Sequence, residues 1–392
     1  MRTRENLGAH SRWCVGLNTI RQEGASFFRR IAIIGVGLIG GSLGLSLKRT
    51  GFKGRVVGIS RPETIAQALQ LGVVDEGTSY AELADGLRDV ELVFLCTPIK
   101  RIIELLPQVM AEVSAGTLVT DVGSTKRRLG EVAAACGRQD VHFIGGHPMA
   151  GSEKAGVMAA DPFLFQNAIY ILVPGVGVPE DLHAALREML AQLGAKVLEL
   201  SAETHDEVVA AISHLPQLIA TSLVEMVGRM NEEGGGCFLP LAAGGFRDLT
   251  RIASSPFAPV WEDICATNAD QIGRMIDRYV DLLKDVRQRL VDPGSLERDF
   301  AFANDIRSQI PKDAKGFIHT LQEILVVAED RPGVIAEIAT KLADQELNIN
   351  DIEVLKVREG EGGTIRLGFD SGEAAERSLE VLRGLGYQAR RR

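Results

Sequence analysis

One short stretch limits the fold more than any other: RIAIIGVGLIGGSLGLSLKRTGF, residues 30–52. It joins an apolar run, a glycine turn and a helical pattern that ends at Gly51. Gly35-Val36-Gly37-Leu38-Ile39-Gly40 is therefore a GxGxxG that follows a strand and opens a helix. In that context the first glycine makes the tight turn, the second lets backbone approach a pyrophosphate, and the third allows close helix–strand packing. The helix start then offers free N–H groups to phosphate charge.

The alternation continues. RVVGIS (55–60), ELVFLCTP (91–98), TLVTDVGS (117–124) and HFIGGHP (142–148) are apolar strands separated by helical segments, the pattern of a parallel sheet with crossover helices. AIYILVPG (168–175) and AKVLELS (195–201) flank a helical segment and extend the sheet, in a direction the sequence leaves open. Residues 30–201 thus read as a Rossmann dinucleotide-binding domain. Residues 202–310 carry apolar residues at helical spacing without strand-like alternation, which predicts an all-helical domain whose apolar faces suit a second subunit. QIPKDAKG (309–316) is a polar linker. Residues 320–392 return to a β-α-β-β-α order with a short last strand at Tyr387–Ala389, the split βαβ pattern of ferredoxin-like domains. The class is α/β, and residues 1–29 are a flexible N-terminal extension.

Length and charge narrow the function. A chain of 392 residues holds about two to three domains. Lys+Arg 43 against Asp+Glu 52 gives a net charge of -9, so no general affinity for nucleic acid or anionic membranes is expected. An anionic substrate needs a local group of cations. Cys14, Cys96, Cys136, Cys237 and Cys265 are odd in number and lack any CxxC spacing, which argues against a disulfide framework or a zinc site. No run approaches the roughly twenty apolar residues of a membrane span. A cytoplasmic protein is expected.

At the end of the second strand an acid usually binds the ribose 2′-OH of NAD. Here Ser60-Arg61 stands instead, with Glu63 beyond Pro62. Serine and arginine suit a 2′-phosphate, as in NADP, while an Arg61 that only stacks on adenine is compatible with NAD. The cofactor is NAD or NADP. Cys96-Thr97-Pro98 ends another strand, so Thr97 and Pro98 should line the nicotinamide side.

GGHPMAGSEKAG (145–156) places His147 between glycines and a proline. Those neighbours disfavour a helix or central strand and predict a shaped loop, holding the imidazole either in a cleft or merely in solvent. With GVGLIGGS, DVGSTK, HDEVVAAISHLP and GGFRDLTRIASS also present and in chain order, the sequence resembles the prephenate dehydrogenases, the TyrA family of tyrosine biosynthesis. The likeness covers residues of about 30–310. It implies oxidation of prephenate, with a hydride leaving C4 for the nicotinamide, a proton leaving the C4 hydroxyl, and loss of CO2 to give 4-hydroxyphenylpyruvate. His147 would be the general base, and Ser124 would orient the hydroxyl or the imidazole. His214 would be a second substrate-contacting histidine, unless it is satisfied inside its helix. Arg247 would grip a carboxylate, unless it forms a surface salt bridge. Glu153 would gate the pocket mouth, or stand solvated. Lys126 has no firm role, and Trp261 suits core packing better than a pocket wall.

Asp330-Arg331-Pro332-Gly333 followed by Leu347-Asn348-Ile349-Asn350 resembles the ACT regulatory domain. Backbone N–H groups at the helix start beyond the Pro-Gly turn suit a ligand carboxylate. The resemblance implies L-tyrosine as feedback inhibitor, held near Asp330, Gly333, Asn348 and Ile349, and a homodimer. Arogenate in place of prephenate, a 2-hydroxyacid dehydrogenase, and a non-catalytic dinucleotide and amino-acid sensor are the rival readings. The histidine motifs count against the second of these.

Overall fold

The computed structural model describes residues 27–151, 154–310, 321–328, 331–355 and 363–391. Of the extension expected over residues 1–29, residues 1–26 lie outside them, as do Glu153 and Asp330, while Phe28 is buried in the core of the sheet domain. The first unit is an eight-stranded sheet: β1 (Arg30–Ile34), β2 (Arg55–Ser60), β3 (Glu76–Ser79), β4 (Leu92–Leu95), β5 (Leu118–Asp121), β6 (His142–Pro148), β7 (Ile169–Pro174) and β8 (Lys196–Glu199). Its order is β3-β2-β1-β4-β5-β6-β7-β8. All pairings are parallel except β6 with β7, which is antiparallel; β7 and β8 then run parallel. The crossovers carry α1 (Leu38–Arg49), α2 (Pro62–Gln70), α3 (Leu83–Gly86), α4 (Ile99–Glu112), α5 (Arg127–Ala135) and α6 (Glu180–Gln192).

Strand periodicity divides the core between the two faces of the sheet. Ile31 and Ile33 pack with Leu43, Phe94 and Leu186 on one face. Ala32 and Ile34 pack with Val93, Leu106 and Val109 on the other. The sequence offered no sign of β3: EGTS is polar, and the strand is a short, half-exposed edge.

The second unit holds α7 (Ala202–Val209), α8 (Leu215–Glu233), α9 (Gly244–Thr250), α10 (Glu262–Thr267), α11 (Ala269–Arg289) and α12 (Glu297–Gln309). Ser201 starts α7, its side chain accepting from the Thr204 N–H. Between α7 and α8 the helix widens into one π turn, Ala210–His214. Pro216 explains it: the ring lacks an N–H and would crowd the carbonyl one turn back, and the wider turn absorbs both. The continuous helix Ala202–Glu233 is, by length and composition alone, long and apolar enough to cross a membrane, which corrects the expectation that no segment approaches a span. Its buried His205, Asp206, His214 and Gln217 have protein partners, as a packed helix of a folded domain requires. The same domain exposes Met226, Leu283 and Phe300, apolar surface of the kind that marks an interaction site.

The third unit is a four-stranded antiparallel sheet of β9 (Gln322–Ala328), β10 (Asp351–Leu355), β11 (Gly363–Phe369) and β12 (Gln388–Arg391), in the order β10-β11-β9-β12. Helices α13 (Val334–Ala343) and α14 (Gly372–Gly384) complete a split βαβ fold, with a core of Ile324, Val326, Ile338, Leu367 and Leu379. Gly333 caps α13 at φ +90°, a left-handed position that favours glycine. Asn348 is exposed, and Ile349 is half-buried against this core.

Candidate active site

The three glycines of the first turn differ in what surrounds them. At Gly35, φ is +93°, and a Cβ would stand 2.6 Å from Thr97 Cγ2. A Cβ at Gly40 would meet the Gly35 carbonyl oxygen at 2.3 Å and Ile33 Cγ2 at 2.9 Å. At Gly37 a Cβ would meet nothing within 4 Å. One glycine thus turns the chain, one seats α1 on β1, and one leaves open space at the uncapped start of α1.

That helix start borders a cavity of about 710 Å³, the size of a small-molecule site. Leu38, Ile39, Thr97 and Pro98 line it from the sheet side, with Ser124 and His147 from the next strand ends. Trp261 and Asp263 close it from the helical domain. Trp261 is therefore a pocket wall, although it also packs against the core. Thr97 Oγ1 is buried without a hydrogen-bond partner among the described residues. Together with the clear space at Gly37, this fits a dinucleotide lying across the end of β1 and β4.

Ser60 is buried at the end of β2, and Arg61 is exposed at the N-cap of α2. Arg61 makes no ion pair among the described residues. Glu63 is exposed in the first turn of α2.

His147 does not sit on a loop. It is a strand residue, next to last in β6 and paired with Ile171 of β7. The glycines that pointed to a loop are there because the backbone is crowded. A Cβ at Gly146 would stand 2.4 Å from the Asp121 carbonyl oxygen, and one at Gly145 would stand 3.1 Å from Lys126 Cδ. Pro148, which has no N–H to give, closes the strand.

At Gly146 the neighbour is the backbone of β5, and at Gly145 it is the lysine of a buried ion pair. Lys126 Nζ donates to the Asp121 carboxylate and, at 2.6 Å, to the Gly146 carbonyl. Asp121 in turn accepts from the Gly123 and Gly146 N–H groups at 2.7 and 3.1 Å. Lys126 is thus structural to β6 and, 1% exposed, does not line the cavity.

The sequence reading missed two residues at this site. His147 Nδ1 lies 2.8 Å from His205 Nε2, and His205 Nδ1 lies 2.8 Å from Asp206 Oδ1. Asp206 also accepts from the N–H of Lys126 at 2.7 Å and of Arg127 at 3.0 Å, at the start of α5. Burial would raise the Asp206 carboxyl, but the hydrogen bonds from His205, Arg127 and Lys126 outweigh it and hold the group below its usual range. His147 is held well below the usual imidazole range, first by burial and then by His205, Lys126 and His214. It is therefore neutral at pH 7 and able to accept a proton. HDEVV did contain the signal, an adjacent His-Asp at the start of a helix, but nothing in the sequence tied that pair to a strand 58 residues earlier.

Two other predicted residues lie off the cavity. His214 is 1% exposed, accepts from Asn268 Nδ2 at 3.3 Å, and packs edge-on against Trp261 with ring centres 6.1 Å apart. It is satisfied inside the helical domain and does not line the cavity of the single chain. Burial, with Asp206 opposing and His205 adding, brings it down to about 4. Arg247 is exposed on α9 and does not line the cavity either. Among the described residues, Lys154 is the cation that does.

Family models match the chain in three consecutive pieces. They are "prephenate dehydrogenase, nucleotide-binding domain" over residues 43–199, "prephenate dehydrogenase, dimerization domain" over 201–300, and "ACT domain" over 323–379. The prephenate dehydrogenase of Bacillus subtilis (strain 168) is 36% identical over 90% of this chain and 95% of that protein. Among solved structures, A. aeolicus prephenate dehydrogenase in complex with hydroxyphenyl propionate and NAD+ superposes with a TM-score of 0.64 at 31% identity. The match covers 71% of this chain and 96% of that one. Synechocystis arogenate dehydrogenase gives a TM-score of 0.62 at 31% identity, over 71% and 98%. The chain belongs to the prephenate dehydrogenase family and carries a C-terminal ACT domain.

Proposed function

We propose that the protein is a homodimeric, cytoplasmic enzyme that converts prephenate to 4-hydroxyphenylpyruvate and CO2. One observation carries the reading: a buried, neutral His147 faces the same cavity as Ser124, Thr97 and the open helix start at Gly37. A bound nicotinamide would supply the hydride acceptor. His147 Nε2 takes the proton of the C4 hydroxyl as the hydride leaves C4, while Ser124 orients that hydroxyl. When the ring carboxylate leaves as CO2, its bonding electrons enter the ring, which becomes aromatic. The C4 oxygen then takes the proton back from the imidazolium. Lys154 at the cavity wall, and Arg247 once its surroundings in the dimer are complete, are the cations for the two carboxylates.

We infer a preference for NADP, supported by the exposed Arg61 beside Ser60 and by the lack of a carboxylate at the end of β2. We further infer that the ACT domain binds L-tyrosine at the start of α13, and that the bound amino acid inhibits the enzyme. We also assign Glu153 to the pocket mouth and Asp330 to the amino-acid site, as the family resemblance implies.

Arogenate is the second reading, supported by the nearly equal match to an arogenate dehydrogenase structure. Steady-state reduction of NAD+ and NADP+ with prephenate and with arogenate, each with and without L-tyrosine, separates these readings. The proposal expects turnover with prephenate and NADP+ that falls on adding tyrosine. Turnover with arogenate alone moves the assignment to the second reading, and folded protein inactive in all four pairs refutes both.

A further inference from the structure

A carboxylate two hydrogen bonds from the cavity decides which nitrogen of His147 is basic. Asp206 is 0% exposed and holds its negative charge against the N–H groups of Lys126 and Arg127. An ionised carboxylate can only accept hydrogen bonds, so His205 Nδ1 donates to it across 2.8 Å. With its Nδ1–H committed to Asp206, His205 can accept at Nε2, and the only group offered there among the described residues is His147 Nδ1, again at 2.8 Å. His147 then donates there, which leaves its own lone pair on Nε2, the ring nitrogen with no hydrogen bond among the described residues. We propose that Asp206 and His205 are positioning residues that lock His147 in its Nδ1–H form, so that a basic Nε2 is always presented to the cavity. The other tautomer would put an N–H at Nε2 and could accept nothing from a substrate hydroxyl.

The arrangement crosses a domain boundary. His147 comes from β6 of the sheet domain, and His205 and Asp206 come from α7 of the helical domain. The anchoring N–H groups sit at the start of α5, just after Ser124. His205 and Asp206 are 0% exposed, so the two hydrogen bonds that join the three side chains are shielded from competing water. When Nε2 gains a proton, the charge on His147 is balanced through His205 by Asp206.

The proposal rests on His147 being the base, and the test separates the two ideas. In the full chain labelled with 15N-histidine, the ring shifts of His147, assigned by comparison with His147→Asn, should show a protonated Nδ1 and an unprotonated Nε2 at pH 7. His205→Phe should lose that pattern and lower kcat by roughly tenfold to a hundredfold, with the Kd for dinucleotide within about twofold of the parent. His205→Gln, whose amide oxygen can still accept from His147 Nδ1, should restore both tautomer and most of kcat. A parent protein with the proton on Nε2, or a His205→Phe protein that keeps it on Nδ1, overturns the proposal. The expected tautomer in a protein that turns over no substrate supports the lock and refutes the base assignment.

Discussion

Gly37 and Gly40 share one turn, yet a methyl group would meet different surroundings at each. At Gly40 the nearest atom, 2.3 Å away, is the backbone oxygen of Gly35, which cannot rotate aside. Overpacking of that kind costs about 3 kcal/mol, the upper end of its usual range. For a unit of this size that lowers Tm by roughly 6–12 °C. At Gly37 nothing lies within 4 Å and φ is −92°, so Gly37→Ala should cost within about 1 kcal/mol, mainly through loss of the preferred helix cap. Its methyl group would instead stand where a pyrophosphate must approach. Losing one charge-assisted N–H contact there is worth about 1.5–3 kcal/mol, or roughly tenfold to a hundredfold in Kd. Thermal melts and calorimetric titration with NAD+ and NADP+ read both effects. Gly37→Ala should melt near the parent and bind dinucleotide weakly, and Gly40→Ala should melt early. A Gly37→Ala protein that binds either dinucleotide with parental affinity would refute the placement of the cofactor at this turn.

Two other outcomes are expected. Arg61→Ala should reduce kcat/KM for NADP+ about tenfold, the value of one exposed charge-assisted contact, and leave NAD+ nearly unchanged; an unaltered ratio between the two would show that Arg61 does not hold a 2′-phosphate. His214 has a folded-state pKa of about 4 against 6.5 when unfolded, so between these values the unfolded chain binds more protons and stability falls as pH falls. From pH 7.5 to 5 this one histidine removes about 2 kcal/mol, and urea unfolding of His214→Gln should show a shallower acid decline by that amount; parallel curves would place the buried imidazole elsewhere.

The fold was legible wherever a periodic signal existed. The apolar strands β1, β2 and β4 and the GxGxxG between them are local patterns, and the sheet follows from them. The antiparallel turn of β7 was not legible, because a strand buried on both faces reads the same in either direction. His147 was found as a residue and misplaced as an element, since Gly145 and Gly146 look like loop formers and serve instead to admit Asp121 and Lys126 beneath the strand. His205 and Asp206 were passed over inside a helical pattern because their importance is a contact across 58 positions of sequence, which no local pattern records. His214 drew attention for the SHLP around it, and that motif marks the π turn before Pro216 and the packing against Trp261.

The order of strands explains why these scattered motifs meet. The sheet reverses direction of growth between β1 and β4, the crevice where open α/β sheets bind ligands. From there β4, β5 and β6 follow as neighbours, all parallel, so Thr97, Ser124 and His147 emerge on one side in that sequence. Neighbouring strands lie about 4.8 Å apart, which puts His147 roughly 10 Å across the sheet from Thr97. The strand ends at Thr97 and His147 thus leave a gap in which a small ring can lie, with its carbinol turned to both. Ser124 stands between them. The antiparallel β7 then ends the run, and its pairing with His147 and Pro148 fixes the proposed base on a strand. A base on a strand moves less than one on a loop, which suits a reaction that must remove a hydride and a proton from the same carbinol.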